Sequence, residues 1–142
     1  MRTKLHFNYL WIALILSCSN SDESPSTKTH FHPPSWIIGV WEETMPNGVS
    51  SATYEFTSNN FIDKEWPGAN EGLDFNEFIN ISVSRKIVER ISGSTYEIDL
   101  YLAGDVPTSL WKFKKISDTE INCILKDGLS SPIEEFNLQK IN

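Results

Sequence analysis

Thr95-Tyr-Glu-Ile-Asp-Leu-Tyr-Leu102 decides the fold. Tyr96, Ile98, Leu100 and Leu102 fall on one parity, and Glu97 and Asp99 on the other. Successive side chains on an extended backbone point to opposite faces, so this alternation is the period of a half-buried strand. The same period recurs on both sides. Leu110 to Ile116 sets Trp111 and Phe113 against Lys112 and Lys114; Ile121, Cys123 and Leu125 alternate; Ile133 to Ile141 carries Phe136 and Leu138 on one parity. Toward the N-terminus lie Trp36 to Trp41, then Ala52 to Thr57 with Tyr54 and Phe56 on one face, then Phe61 to Trp66.

Phe78 to Ile91 is long and β-branched. Ile79, Ile81, Val83, Ile87 and Ile91 share a parity that Arg85 and Glu89 interrupt, which predicts a break or bulge near Arg85. Pro46-Asn47-Gly48, Ser58-Asn59-Asn60, Ser92-Gly93, Gly104 to Thr108 and Lys126-Asp127-Gly128 are turn formers. Pro67 to Asn76 reads as a loop, and Leu73 to Phe78 has room for one short helical turn. The sum is an all-β antiparallel meander of eight to nine strands. Such a meander removes its edges by closing, so the expected form is an eight-stranded barrel.

Composition narrows the function. At 142 residues the chain holds one ordinary domain. A net charge of −7 argues against nucleic acid, which needs clustered Lys and Arg. No histidine follows His32, which removes Ser-His-Asp and Cys-His arrangements and the commonest metal ligand from the domain. No nucleophile elbow, phosphate-cradling glycine loop or Cys-x-x-Cys occurs. The carboxylate pairs Glu42/Glu43, Asp63/Glu65, Asp118/Glu120 and Glu134/Glu135 read as solvated faces. Neither an enzyme, a metal site nor a cofactor is expected. Cys123 alternates with Ile121 and Leu125 and reads as a buried free thiol.

The first residues are an address. Arg2 and Lys4 precede an apolar run from Tyr9 to Leu16, about half of the ~20 residues that span a bilayer. A basic start, a short apolar run and a small residue before the cut form a secretory signal peptide over residues 1–17. Ser19 to Ser35 is polar, with Pro25, Pro33 and Pro34 and no apolar period. It reads as a flexible linker, residues 18–35, ahead of a domain at 36–142. His30 and His32 fall in that linker.

Ile15-Leu16-Ser17-Cys18 resembles the lipobox of bacterial lipoproteins. The resemblance implies that Cys18 is lipidated, with palmitate-type chains, and that the protein is held in the cell envelope at the outer membrane. Two or more acyl chains anchor stably where one does not. Gly39-Val40-Trp41, Tyr54 to Asp63, Ser94 to Leu100 and Lys112 to Asn122 together resemble the small lipocalin-like lipoproteins of the Bacteroidota. That implies a lipocalin-like β-barrel in which Gly39 permits a tight bend and Trp41 plugs the closed end. In lipocalins a basic residue near the last strand packs over that tryptophan. Here Lys140 or Lys114 must serve, or the contact is absent.

The expected activity is binding. Tyr54, Phe56, Tyr96, Ile98, Leu100, Trp111 and Phe113 are candidates to face inward, with Trp66 at the lip, and an apolar pocket of this kind suits a small hydrophobic ligand. The alternative is a protein-interaction module, such as an enzyme inhibitor, acting through loops around Pro46, Trp66 and Asp105. The membrane enters as a partner only through the N-terminal lipid.

Overall fold

A computed structural model describes residues 27–28, 30–44, 50–66 and 70–141. Among the described residues ten strands form where the sequence predicts eight to nine: β1 (Thr27–Lys28), β2 (Gly39–Thr44), β3 (Ser50–Phe56), β4 (Phe61–Asp63), β5 (Leu73–Asp74), β6 (Lys86–Ile91), β7 (Thr95–Tyr101), β8 (Ser109–Lys115), β9 (Glu120–Asp127) and β10 (Glu134–Lys140). One helix, α1 (Phe75–Asn80), separates β5 from β6. The two added strands are β1 and β5, each of two residues.

All pairings are antiparallel, and the sheet order is β1-β6-β7-β8-β9-β10-β2-β3-β4-β5. The last long strand returns to the first: Gln139 lies opposite Glu42 and Lys140 opposite Trp41. First with last is the pair that closes an up-and-down barrel. The sheet is curled rather than shown closed: its two edges are the short strands β5 and β1, which do not pair with each other, so the expected eight-stranded closed barrel is seen only as one curled antiparallel sheet.

The strands keep the predicted parities. On β7 and β8, Tyr96, Ile98, Leu100, Trp111 and Phe113 are buried while Lys112 and Lys114 are exposed. The inward rings meet in a column: Phe61 stacks on Phe56 at 4.9 Å and on Phe75 at 4.8 Å between centroids. Phe113 meets Phe56 edge-on at 5.0 Å, and Trp111 meets Phe75 at 5.3 Å. Offset and edge-on pairs at these spacings add about 0.5–1.5 kcal/mol each beyond burial.

Three stretches differ from expectation. Trp36 to Ile38 form a turn, with Ile37 N–H donating to Pro34 O at 3.0 Å, so the first long strand begins at Gly39. The Phe78–Ile91 stretch contributes a strand only from Lys86. Its first part is α1, capped by Asp74, which accepts from Glu77 N–H at 3.0 Å. Phe75 and Ile79 are buried together, as helical i,i+4 spacing requires. The Arg85 guanidinium bonds Phe78 O at 2.6 Å and lies 4.0 Å over the Phe78 ring, ending the helix and turning the chain. Ile81 and Val83, expected on the buried parity, are exposed in that turn.

The third difference concerns the expected linker. β1 pairs with β6, Thr27 opposite Val88 and Lys28 opposite Ile87. Phe31 is wholly buried against Phe61 and Phe75, at 6.0 and 6.3 Å. Phe31 N–H donates to Asn76 Oδ1 at 3.3 Å, and His32 N–H to Glu89 Oε1 at 2.8 Å. Residues 27–28 and 30–34 thus form a strap that touches β6 and α1.

Near the start of β2, Trp41 is fully buried, its Nε1–H donating to Ile37 O at 2.6 Å. Lys140 supplies the basic contact, its Nζ 5.3 Å from the Trp41 ring centroid. Gly39 has φ +132°, and a Cβ there would stand 2.6 Å from Lys140 Cε. Gly39→Ala is expected to cost about 1–3 kcal/mol in urea unfolding, because both strain and contact oppose it. Truncating Lys140 in the same chain should recover only the contact part.

Candidate binding site at the open end

Alternating strand directions sort the connections to two ends. The turns after β3, β6 and β8 gather with Gly39 and Trp41. The described parts of the connections after β4, β7 and β9 gather at the opposite end. Two of the three loops predicted as contact surfaces, around Trp66 and Asp105, belong to this open end. Pro46 lies outside the described residues, as do Cys18 and residues 1–17.

The ligand-pocket candidates do not enclose a common void. Phe56, Tyr96, Ile98, Leu100, Trp111 and Phe113 are buried in one core cluster, and the rings among them touch one another. Trp66 is 37% exposed and meets the core only at the edge of Phe75, at 6.5 Å. Tyr54 is different. It is 3% exposed, lies against Phe61 and Phe113, and also lines a cavity of about 490 Å³ with Glu43, Ala52, Leu125, Glu134, Glu135 and Phe136.

The strand register explains this cavity. β10 meets β2 at only two residue pairs, while it pairs with β9 from Glu134 onward. The β2–β3 pair and the β9–β10 pair therefore diverge toward the open end. Glu43 stands two residues from Trp41, and Glu134 two from Phe136, so both carry the inward parity. The apolar walls are Ala52, Leu125 and Phe136, and Tyr54 forms the inner wall.

Negative charge marks this end. The Tyr54 phenol is pushed far above its ordinary value, first by burial and then by Cys123, Asp63, Glu134 and Glu43. Asp63, paired in register with Tyr54, is raised above the usual carboxylate range, chiefly by burial; the Glu65 N–H bond opposes this, and the Glu65 and Asp127 carboxylates add to it. Burial, with Glu43 second, pushes the Cys123 thiol up as well. The thiolate is the reactive form. Cys123 is therefore expected to ignore Ellman's reagent at pH 8 in the folded chain and to react within seconds once urea unfolds it.

A second buried polar group escapes a reading by parity. Glu89 interrupts an apolar run, yet it lies inward, accepting from the Tyr96 hydroxyl and the His32 N–H, with His32 Nδ1 3.4 Å from its second oxygen. These bonds satisfy the carboxylate and pin the strap. Burial, then Glu89, raises the Tyr96 phenol.

Two other hollows lie outside the sheet. A groove of about 630 Å³ runs between β4–β5 and α1, lined by Ile62, Lys64, Leu73 and Phe78 among others. A cleft of about 300 Å³ lies over Leu110, Ile124 and Ile133. The mouth cavity is smaller than the groove, but a buried tyrosine lines it, together with exposed carboxylates of β10. Among the described residues, no three His, Cys, Asp or Glu side chains are grouped to hold a metal ion, and no helix is long and apolar enough to cross a membrane.

Comparison of the chain with known protein families, with curated proteins and with solved structures returns no match in any of the three.

Proposed function

We propose that this chain is a lipid-anchored, non-catalytic binding module of the cell envelope, in which a lipocalin-like barrel takes a small, partly apolar ligand at its open mouth. In this reading Cys18 carries the acyl chains at the outer membrane, and the seven long strands together with β4 act as a closed barrel whose seam the strap and α1 cover. Gly39, Trp41 and Lys140 close one end. The observation that supports a ligand at the mouth is the cavity beside Tyr54, because the rings deeper in the sheet already fill the interior.

Native mass spectrometry of the full chain, extracted from its own membrane, tests this. A co-purifying small molecule that is lost from the Leu125→Glu variant is the expected result. An unliganded mass, together with no uptake of aliphatic probes, overturns it.

A second reading is favoured by the open-end connections themselves. Trp66, Val106, Leu129 and Ile133 are all exposed there. Clustered apolar side chains on loops are what a protein-interaction module such as an enzyme inhibitor presents. Substituting these four residues with serine separates the readings: ligand uptake persists if the mouth is the site.

A further inference from the structure

We propose that the groove between β6 and α1 is a docking site for an extended peptide segment of a partner protein that carries an aromatic residue, and that the chain's own strap fills it when that partner is absent. This site is separate from the mouth. The strap itself displays how such a segment is held. Phe31 sets its ring, wholly buried, against Phe61 and Phe75. Two main-chain amides add the polar contacts: Phe31 N–H donates to Asn76 Oδ1, and His32 N–H to Glu89 Oε1. One side-chain pocket plus main-chain hydrogen bonds is the logic of strand addition, in which any extended segment with a fitting side chain can serve.

The seat does not depend on the strap. Phe61 stacks directly on Phe56 and Phe75. Asn76 is fixed by its own bonds, Nδ2 donating to Asn59 O at 2.5 Å and N–H to Asn60 Oδ1 at 3.4 Å. Glu89, its side chain only 3% exposed, keeps the Tyr96 hydroxyl as a donor. A buried carboxylate short of donors is costly, so Glu89 favours an occupant with N–H groups over a purely apolar one. The strap's own hold on the sheet is short. β1 meets β6 at two residue pairs, Thr27 with Val88 and Lys28 with Ile87, whereas β6 runs on to Ile91. Among the described residues β6 pairs only with β1 and β7, so a partner strand in place of β1 can pair along its whole length. The strap keeps its place because it is tethered, acting at an effective concentration of about millimolar. Pro33 assists by holding His32 in extended backbone.

Fluorescence anisotropy of the full chain with a labelled peptide of residues 25–35 tests the assignment. The Phe31→Ala chain, whose own strap is weakened, is expected to bind this peptide about tenfold more tightly than the parent chain does. The peptide carrying the same Phe31→Ala change should bind neither chain. N-methylation of the peptide at its His32 amide should weaken binding several-fold, because it removes the donor to Glu89. Hydrogen exchange of the parent chain needs no variant: the Phe31 and His32 amides should exchange about tenfold faster than those of β7 and β8, because the strap opens by itself. Exchange at the same rate as β7 and β8, uptake by the Phe31→Ala chain no better than the parent's, or indifference to the peptide's phenylalanine each overturns the proposal. So does a dimer of the parent chain that Phe31→Ala abolishes, since the groove then belongs to the strap of a second copy.

Discussion

Trp41→Ala is expected to lower the unfolding free energy by about 3–5 kcal/mol, the usual cost of emptying a buried aromatic site. The ring is fully buried, its N–H is satisfied by Ile37 O, and Lys140 covers one face. Removing it leaves a void at the junction of β2 and β10 and strands the Ile37 carbonyl. A domain of this size has about 5–15 kcal/mol to lose. Urea unfolding followed by far-ultraviolet circular dichroism measures the shift. A loss below about 1 kcal/mol would show that Trp41 does not plug the closed end. Lys140→Met should cost much less, about 0.5–1 kcal/mol, because it removes only the cation over the ring.

Phe31→Ala should cost as much, about 3–5 kcal/mol, if residues 27–34 are a strap. A solvated linker residue would change stability by no more than about 0.5 kcal/mol. The two outcomes are far apart. Hydrogen exchange gives a second readout: amides of β6 and α1, which flank the strap, should lose protection in the variant, whereas β8 and β9 should change only with global stability. Loss of protection spread evenly over the sheet would instead mean that Phe31 supports the core without sealing the seam.

The central and C-terminal strands were legible because their alternation is uninterrupted. Tyr96, Ile98 and Leu100, then Trp111 and Phe113, then Ile121 and Cys123 each repeat at period two, and each is buried. The resemblance pointed to Gly39 and Trp41, and the choice between Lys140 and Lys114 as the cation over the Trp41 ring needed the structure. The strap was illegible. Phe31 stands alone among prolines, serines and histidines, and only its tertiary neighbours make it a core residue. The helix was half legible: the short turn read at Leu73 to Phe78 overlaps α1, but the β-branched run from Phe78 hid its continuation to Asn80. At the mouth, Glu134 and Glu135 are exposed, as the sequence reading has them, and Glu43 is half-buried. The cavity itself left no sign in the sequence, because it depends on how few residues of β10 pair with β2.

The position of β10 governs when this protein finishes folding. It is the strand that joins the C-terminal meander, β6 to β9, to the N-terminal one, β2 to β5. Each meander can pair locally and early, since short turns close quickly. Their union needs residues at opposite ends of the domain to meet, and contacts of such long sequence separation form slowly. Until residues 134–140 emerge from the ribosome or from a translocation channel, β2 and β9 each present an uncovered edge. The chain therefore stays threadable through a narrow passage until its last strand is free, and completes its sheet in one late step.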